Sequence, residues 1–277
     1  VGSNESKAGN PDLTWEKAIK WNVGADVKFW GDRIGLTFDY FMEHRDNILC
    51  NRNTVPTIIG ISASNLPAYN MGRMRNSGWD GEISIGDRIG DWSYFVKANF
   101  TYAHNKVLEY DEPDFQKYPN ISRVGHSVDQ QLLYIAERLF IDDSEVQRNP
   151  KQNLGGWVSG GDIKYKNLPD VNGNYDNVID SNDRQYTGMP TTPEIVYGFG
   201  PSLRYKKFDF SFFFQGAARV SIMMNGIHPF GADGTRNVLQ FIADDYWSDT
   251  NQDIYAGYPR LSKRDNENNT KASTYWQ

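Results

Sequence analysis

Cysteine is almost missing from this 277-residue chain. Cys50 stands alone, which excludes an internal disulfide framework and any cysteine-based metal site. No run of about 18 uncharged apolar residues occurs, so no transmembrane helix can be drawn. Basic residues are in deficit, 29 against 35 acids, and the net charge of −6 argues against nucleic acid, which would want a basic face. The four histidines, His44, His104, His126 and His228, are scattered, without the spacing that sets two metal ligands on one helical face. There is no Gly-x-Ser-x-Gly elbow and no phosphate-binding glycine loop. A glycosidase needs only two acids at a set separation, and a chain with 35 of them supplies such a pair anywhere. The expectation is a protein that is not an enzyme. An initiator Met and a signal-peptide h-region are also lacking at Val1, and the chain runs off an aromatic pair, Tyr275-Trp276. Both ends read as cuts through a longer protein.

Aromatic residues, by contrast, are plentiful at 14%, alongside 25 Gly and 25 Asn, in a chain with a mean hydropathy of −0.65. Disordered chains are poor in rings and bulky apolar residues, so disorder is excluded. Rings suit strands, and Gly, Asn and Asp suit turns. Period-2 alternation is clearest over 208–216, where Phe208, Phe210, Phe212 and Phe214 share one face and Asp209, Ser211, Phe213 and Gln215 the other. Ile195, Tyr197, Phe199, Leu203 and Tyr205 form a similar face just before it, and Lys206-Lys207 makes a tight hairpin of the two. Further pairs are expected over 14–45, turning at Gly31-Asp32, and over 79–104, turning near Gly90.

The connections carry more information than the strands. Turns within the pairs (14–45, 79–104 and 193–217) are short, whereas the connections over about 46–77, 106–192 and 219–270 are long. Long loops without regular structure are uncommon in compact domains. Strict alternation of short and long is what a transmembrane β-barrel produces, with short periplasmic turns and long extracellular loops. Rings near strand ends (Trp21, Phe29, Trp30, Tyr40, Trp79, Trp92, Tyr102, Tyr205, Phe208) suit interfacial girdles, and Asp26, Lys28, Asp39, Glu82, Lys97, Asn99, Asp209 and Gln215 suit a wet lumen. The alternatives are a soluble, secreted β-sandwich that binds carbohydrate through loop rings and, more distantly, a secreted glycoside hydrolase.

Several segments, in order, resemble the SusC/RagA-type TonB-linked outer-membrane transporters. Asn10-Pro11-Asp12-Leu13-Thr14-Trp15-Glu16-Lys17 is similar to that family's strand opening, and Asn22-Val23-Gly24-Ala25-Asp26 with Phe38-Asp39-Tyr40-Phe41 to its first hairpin. Asn70-Met71-Gly72 through Asn76-Ser77-Gly78-Trp79, Gly161-Asp162-Ile163-Lys164-Tyr165, Asp170-Val171-Asn172-Gly173, Pro193-Glu194, Phe214-Gln215-Gly216, Asp245-Tyr246-Trp247 and Tyr258-Pro259-Arg260-Leu261 continue the likeness. The resemblance implies an all-β, antiparallel transmembrane β-barrel fragment, about six clear strands of a presumed 22, with long extracellular loops. It further implies import of oligosaccharide or peptide cargo through the outer membrane of a Gram-negative bacterium. The implied partners are outer-membrane lipid, a SusD-like surface lipoprotein as lid, and TonB acting through a plug. The plug, the N-terminal strands and the last strands of the family pattern have no counterpart here.

Two candidate sites follow. Trp157, Tyr246 and Trp247, in the long connections, carry rings able to stack on sugar faces or to anchor loops. Asp170, Asn172, Asp176, Asp180 and Asp183 place oxygen donors as a calcium loop of the EF-hand type would. That pattern carries two extra residues, Asn174-Tyr175, puts Asn177 where the turn glycine belongs, and ends on Asp183 in place of Glu. A loop tied by Asx-turns accounts for the same residues without Ca²⁺. No cofactor is required, with Ca²⁺ the one candidate that the loop raises.

Overall fold

The computed structural model describes residues 9–55, 58, 65–224, 237–262 and 266–277. His228 lies outside the described residues. The chain divides into two compact units, the first comprising Val1–Asp114, Arg123–Asp129 and Met189–Ser221, the second Phe115–Ser122, Gln130–Gly188 and Ile222–Gln277.

The first unit is one antiparallel sheet. Its strands are β1 (Lys17–Phe29), β2 (Ile34–Cys50), β3 (Tyr69–Ile89), β4 (Trp92–Glu109), β11 (Ile195–Tyr205), β12 (Phe208–Ser211) and β13 (Phe214–Ala218). They are ordered β1-β2-β3-β4-β11, with β12 and β13 both pairing with β11. All three tight turns lie at one end of the sheet. Trp30, Gly31 and Asp32 have φ of 51, 65 and 67°, Gly90 63° and Lys206 53°, left-handed conformations that close hairpins within a few residues. The longer connections all leave from the opposite end.

Register settles which side chains share a face. Ala25, Phe38, Gly81, Phe100 and Tyr197 form one cross-strand row; Asp26, Thr37, Glu82, Asn99, Gly198 and Gln215 form the next, on the other face. One face is therefore apolar and open, with Trp21, Phe38, Trp79, Ile83 and Phe199 all exposed. Soluble proteins rarely expose contiguous apolar patches beyond a few hundred Å². Among its described residues the first unit holds this one sheet alone, so it supplies no second layer of a sandwich.

The apolar face also has a defined height. Trp92 packs on Tyr205 at the turn end, ring centroids 4.6 Å apart, and Trp79 packs among Phe38, Phe100 and Tyr102 higher up. Ten residues of β4 separate Trp92 from Tyr102, about 33 Å along a strand and roughly 25 Å along the normal at a tilt near 40°. That equals the apolar band of an outer-membrane barrel, about 25 Å tall. Above it the same face turns polar, with His44, Arg75 and His104.

Two elements differ from the sequence expectation. The strand over 208–216 breaks at Phe212-Phe213, because Pro201 of β11 lacks the N–H that the ladder needs; Phe212 N–H still donates to the Pro201 carbonyl, at 3.3 Å. Phe210, Phe212 and Phe214 nonetheless stay on one face, in ring contact at 5.8 and 5.3 Å. Secondly, β2 and β3 run past the expected hairpin ends, and β3 reaches 21 residues. Here the clasp is polar: Asn70 accepts from the Thr14 amide at 2.9 Å and donates to the carbonyls of Thr14 and Asn47.

The second unit consists of stretches expected as open loops, yet it has its own core. Tyr134, Leu139, Leu154, Ile163, Tyr165, Ile179, Trp247, Ala256 and Trp276 are buried together, with Met223 and Met224 packed against them. Short ladders frame it: β5 (Gln131–Tyr134) with β10 (Arg184–Thr187), β6 (Ala136–Leu139) with β8 (Ile163–Tyr165), and β7 (Lys151–Gln152) with β9 (Val178–Ile179). One helical turn, α1 (Asp143–Arg148), and α2 (Gln240–Asp244) complete it.

Candidate functional site

On the polar face of the sheet, the expected lumen side, Thr37 donates to Asp26 at 2.6 Å and Lys97 pairs with Glu82 at 2.7 Å. Asp39 and Asp80 sit directly opposite each other in register. Like charges so placed destabilise a ladder and persist where water solvates them. A hollow of about 390 Å³ is lined by Asp80, Glu82, Asn99, Thr101, Phe213 and Gln215, among others. Phe213 lies over Gly198 and Gly200 there, where any Cβ would meet its ring at 2.5 and 2.9 Å.

Within the second unit a cavity of about 490 Å³ opens between α1 and the 246–261 stretch. Its wall includes Asp142, Asp143, Ser159, Gly160, Tyr246, Trp247, Asp249, Gln252 and Arg260. Asp142 caps α1 by accepting from Glu145 N–H at 2.7 Å, and Asp143 accepts from the Ser159 hydroxyl and the Gly160 amide. The Ser159 and Gly160 bonds hold the Asp143 carboxyl below its ordinary range. Burial alone would raise the Glu145 carboxyl, but Arg138, the Ile141 amide and Lys164 outweigh it and bring it to about 2.

Behind this wall a buried polar network fixes the backbone. Asp162, fully buried, accepts from Arg260, Asn266, Asn269 and the Ser159 amide, and the Arg260 amide donates to the Gly161 carbonyl at 2.9 Å. Gln152 bridges the Ile163 carbonyl and Asn268, and the Trp276 indole donates to the Asn269 carbonyl at 2.8 Å. Burial pushes the Tyr165 hydroxyl, which donates to the Asn268 carbonyl, far up. Two stretches nearly a hundred residues apart in sequence, Gly161–Tyr165 and Tyr258–Leu261, thus meet in one network. Sequence periodicity gives no signal for it; the short motifs Gly-Asp-Ile-Lys-Tyr and Tyr-Pro-Arg-Leu were its trace.

The three rings expected at a sugar site part company. Tyr246 and Trp247 line the cavity, whereas Trp157 is 78% exposed and does not line it. Trp247 is only 6% exposed, with its six-membered ring seated on Gly161 at φ 78°. Its indole nitrogen has no hydrogen-bond partner.

The acids of the expected calcium loop each hold local backbone. Asp170 accepts from the Asn172 and Asn174 amides, Asp176 from Val178, Asp180 from Asn182, and Asp183 from Asp180 and Leu168. Asn177 takes the left-handed conformation at φ 59°, standing in for the turn glycine. Burial raises the Asp183 carboxyl despite its two amide donors. Among the described residues no three or more His, Cys, Asp or Glu side chains converge on a metal position.

Comparison with known proteins adds the following. Residues 1–260 match the family model described as TonB dependent receptor-like, beta-barrel. The chain is 26% identical over 269 residues to TonB-dependent receptor P3 of Formosa agariphila, covering 92% of this chain and 25% of that protein. It is 27% identical over 218 residues to TonB-dependent receptor SusC of Bacteroides thetaiotaomicron, covering 76% of this chain and 20% of SusC. The fold superposes on the structure of the RagAB peptide transporter with a TM-score of 0.64 at 21% identity, over 94% of this chain and 28% of that one. On the RagAB importer in its open-open state the TM-score is 0.67 at 20% identity, over 98% and 27%. The chain thus spans about a quarter of the length of the proteins it matches.

Proposed function

Because this chain belongs to the TonB-dependent receptor-like β-barrel family of the outer membrane, we propose that it forms barrel wall and outward-facing loops of an active importer. The observation that carries this is the sheet itself. Its apolar face is as tall as the hydrocarbon band, and its other face is polar. In this reading lipid covers the first face, and cargo passes along the second. Energy reaches the whole receptor through TonB, and a SusD-like surface lipoprotein closes over the loops; the similarity to SusC and to the RagAB fold supports that arrangement. Cargo of the oligosaccharide or peptide class fits a hollow lined by carboxylates, amides and a ring. The loop over 170–183 serves as a self-tied turn needing no metal, so calorimetry with Ca²⁺ on the intact receptor should show no chelator-sensitive heat.

The experiment is uptake. Deleting the receptor gene, or TonB, from the host should abolish energised uptake of labelled oligosaccharide or peptide, and the lipoprotein should copurify with the receptor. Uptake unaffected by loss of either would overturn the proposal.

A further inference from the structure

The apolar face of the sheet ends in a charged row just beyond its outer ring girdle. Register sets Ile19, His44, Arg75 and Lys106 side by side across β1 to β4. Arg75 and Lys106 lie four residues beyond Trp79 and Tyr102 on their strands, so alternation keeps them on the same face. Four residues are about 13 Å along a strand, or roughly 10 Å along the membrane normal at a tilt near 40°. Long cationic side chains at that height reach back into the headgroup layer that borders the hydrocarbon.

The charge of this row is not balanced by protein. Arg75 is exposed, and no side-chain partner of Arg75, Lys106 or His44 exists among the described residues. Neighbouring cations do have partners. On the opposite face Lys20 and Arg45 pair with Glu43 at 3.2 and 2.7 Å. Farther out on β3, Arg73 sits between Asp46 and Glu109, each at 2.8 Å. Arg75 and Lys106 instead stand directly opposite each other in register, a like-charge pair that weakens a ladder. On the lumen face water offsets such a pair. At a headgroup layer the counter-charge at hand is lipid phosphate, and the row is continuous with the face that lipid covers. A two-fold contact with a second copy through this row would set cations against cations.

We propose that Arg75 and Lys106, with His44 beside them, bind the phosphate-bearing headgroup of an outer-leaflet lipid whose acyl chains lie on the apolar band beneath. Arginine offers a planar fork and lysine a point charge, and phosphate oxygens accept from both. The proposal rests on the lipid-facing reading of the sheet and goes beyond it by assigning a class of lipid to one row.

The test uses the purified full-length receptor, with any copurifying lipoprotein, in neutral detergent. Lipid A, a phosphorylated glycolipid, is compared with the same lipid A after phosphatase treatment, and binding is read by native mass spectrometry. The phosphorylated form should bind about tenfold tighter and raise the heat stability of the barrel. The double variant Arg75→Gln, Lys106→Gln should erase that preference. Without lipid it should be at least as heat-stable as the wild type, because a like-charge pair is gone; a purely structural role predicts a loss instead. Lys28→Gln, Lys207→Gln removes equal charge from exposed positions at the turn end and should keep the preference. Equal binding of both lipids, a preference that survives Arg75→Gln, Lys106→Gln, or an equal loss in the turn-end variant would each overturn the proposal. So would displacement of the lipid by millimolar inorganic phosphate, or a double variant that changes oligomeric state, which would give the row to a second copy. Val96→Arg, on the same face midway up the band, keeps two failures apart. Its tolerance in bilayers defeats the lipid-facing reading, whereas its rejection together with equal binding of both lipids defeats this inference alone.

Discussion

Arg260 and Asp162 set the shape of the loop unit through one buried pair, with Asn266 and Asn269 satisfying the remaining carboxylate lone pairs. Removing one member of a buried pair leaves an uncompensated charge, which costs about 3–5 kcal/mol. Arg260→Ala should therefore open the loop unit to protease while the barrel still resists unfolding in a gel-shift assay. Glu145 gives a pH signature. Its carboxyl lies at about 2 in the folded protein against an ordinary 4.5, so its stabilisation is complete above pH 4.5 and lost as pH falls toward 2. The swing is roughly 3 kcal/mol at most. Protease resistance of the loops should fall through that window, and Glu145→Gln should flatten the profile. Glu145 does not stand out in sequence although its partners are near in the chain, and Arg260 is marked only as part of the Tyr-Pro-Arg-Leu motif, because its partner Asp162 lies 98 residues away.

At the scale of elements, alternation and turn chemistry carry most of the explanation. The hairpin turns were legible because Gly31, Asp32 and Gly90 favour left-handed backbone. The break between β12 and β13 was hidden in Pro201, whose missing N–H matters only once register puts it opposite Phe212. Close strand approach is likewise a matter of register. A Cβ on Gly78 would lie 2.0 Å from the Tyr102 carbonyl, a backbone atom that cannot step aside cheaply. Gly78→Val should disrupt the β3–β4 pairing, and the fraction of receptor migrating as folded barrel in unheated gels should drop sharply against the wild type.

On the scale of the whole molecule, the sheet needs two solvents. Phe100 faces the apolar band and Asn99 the polar side, one residue apart. Arg at a lipid-facing midplane position costs about 2–4 kcal/mol, whereas lumen positions tolerate polar change. Val96, on the same face as Phe100 and midway up the band, is the position to test: Val96→Arg should destabilise the full-length receptor in bilayers by that amount in denaturant titration, and Asn99→Arg by much less. Equal losses at the two positions would count against a lipid-facing role for this face.

The sequence by itself determined the strands, their faces, the tight turns and the alternation of connection lengths, because each follows from period-2 patterning or from glycine, asparagine and aspartate chemistry within a few residues. Only the tertiary structure decided that the long connections fold around a core of their own. It alone also set Trp247 in a cavity wall and gave the 170–183 acids to backbone amides. Those outcomes depend on contacts such as Asp162 with Arg260, which no local pattern encodes and which exist only once distant segments pack.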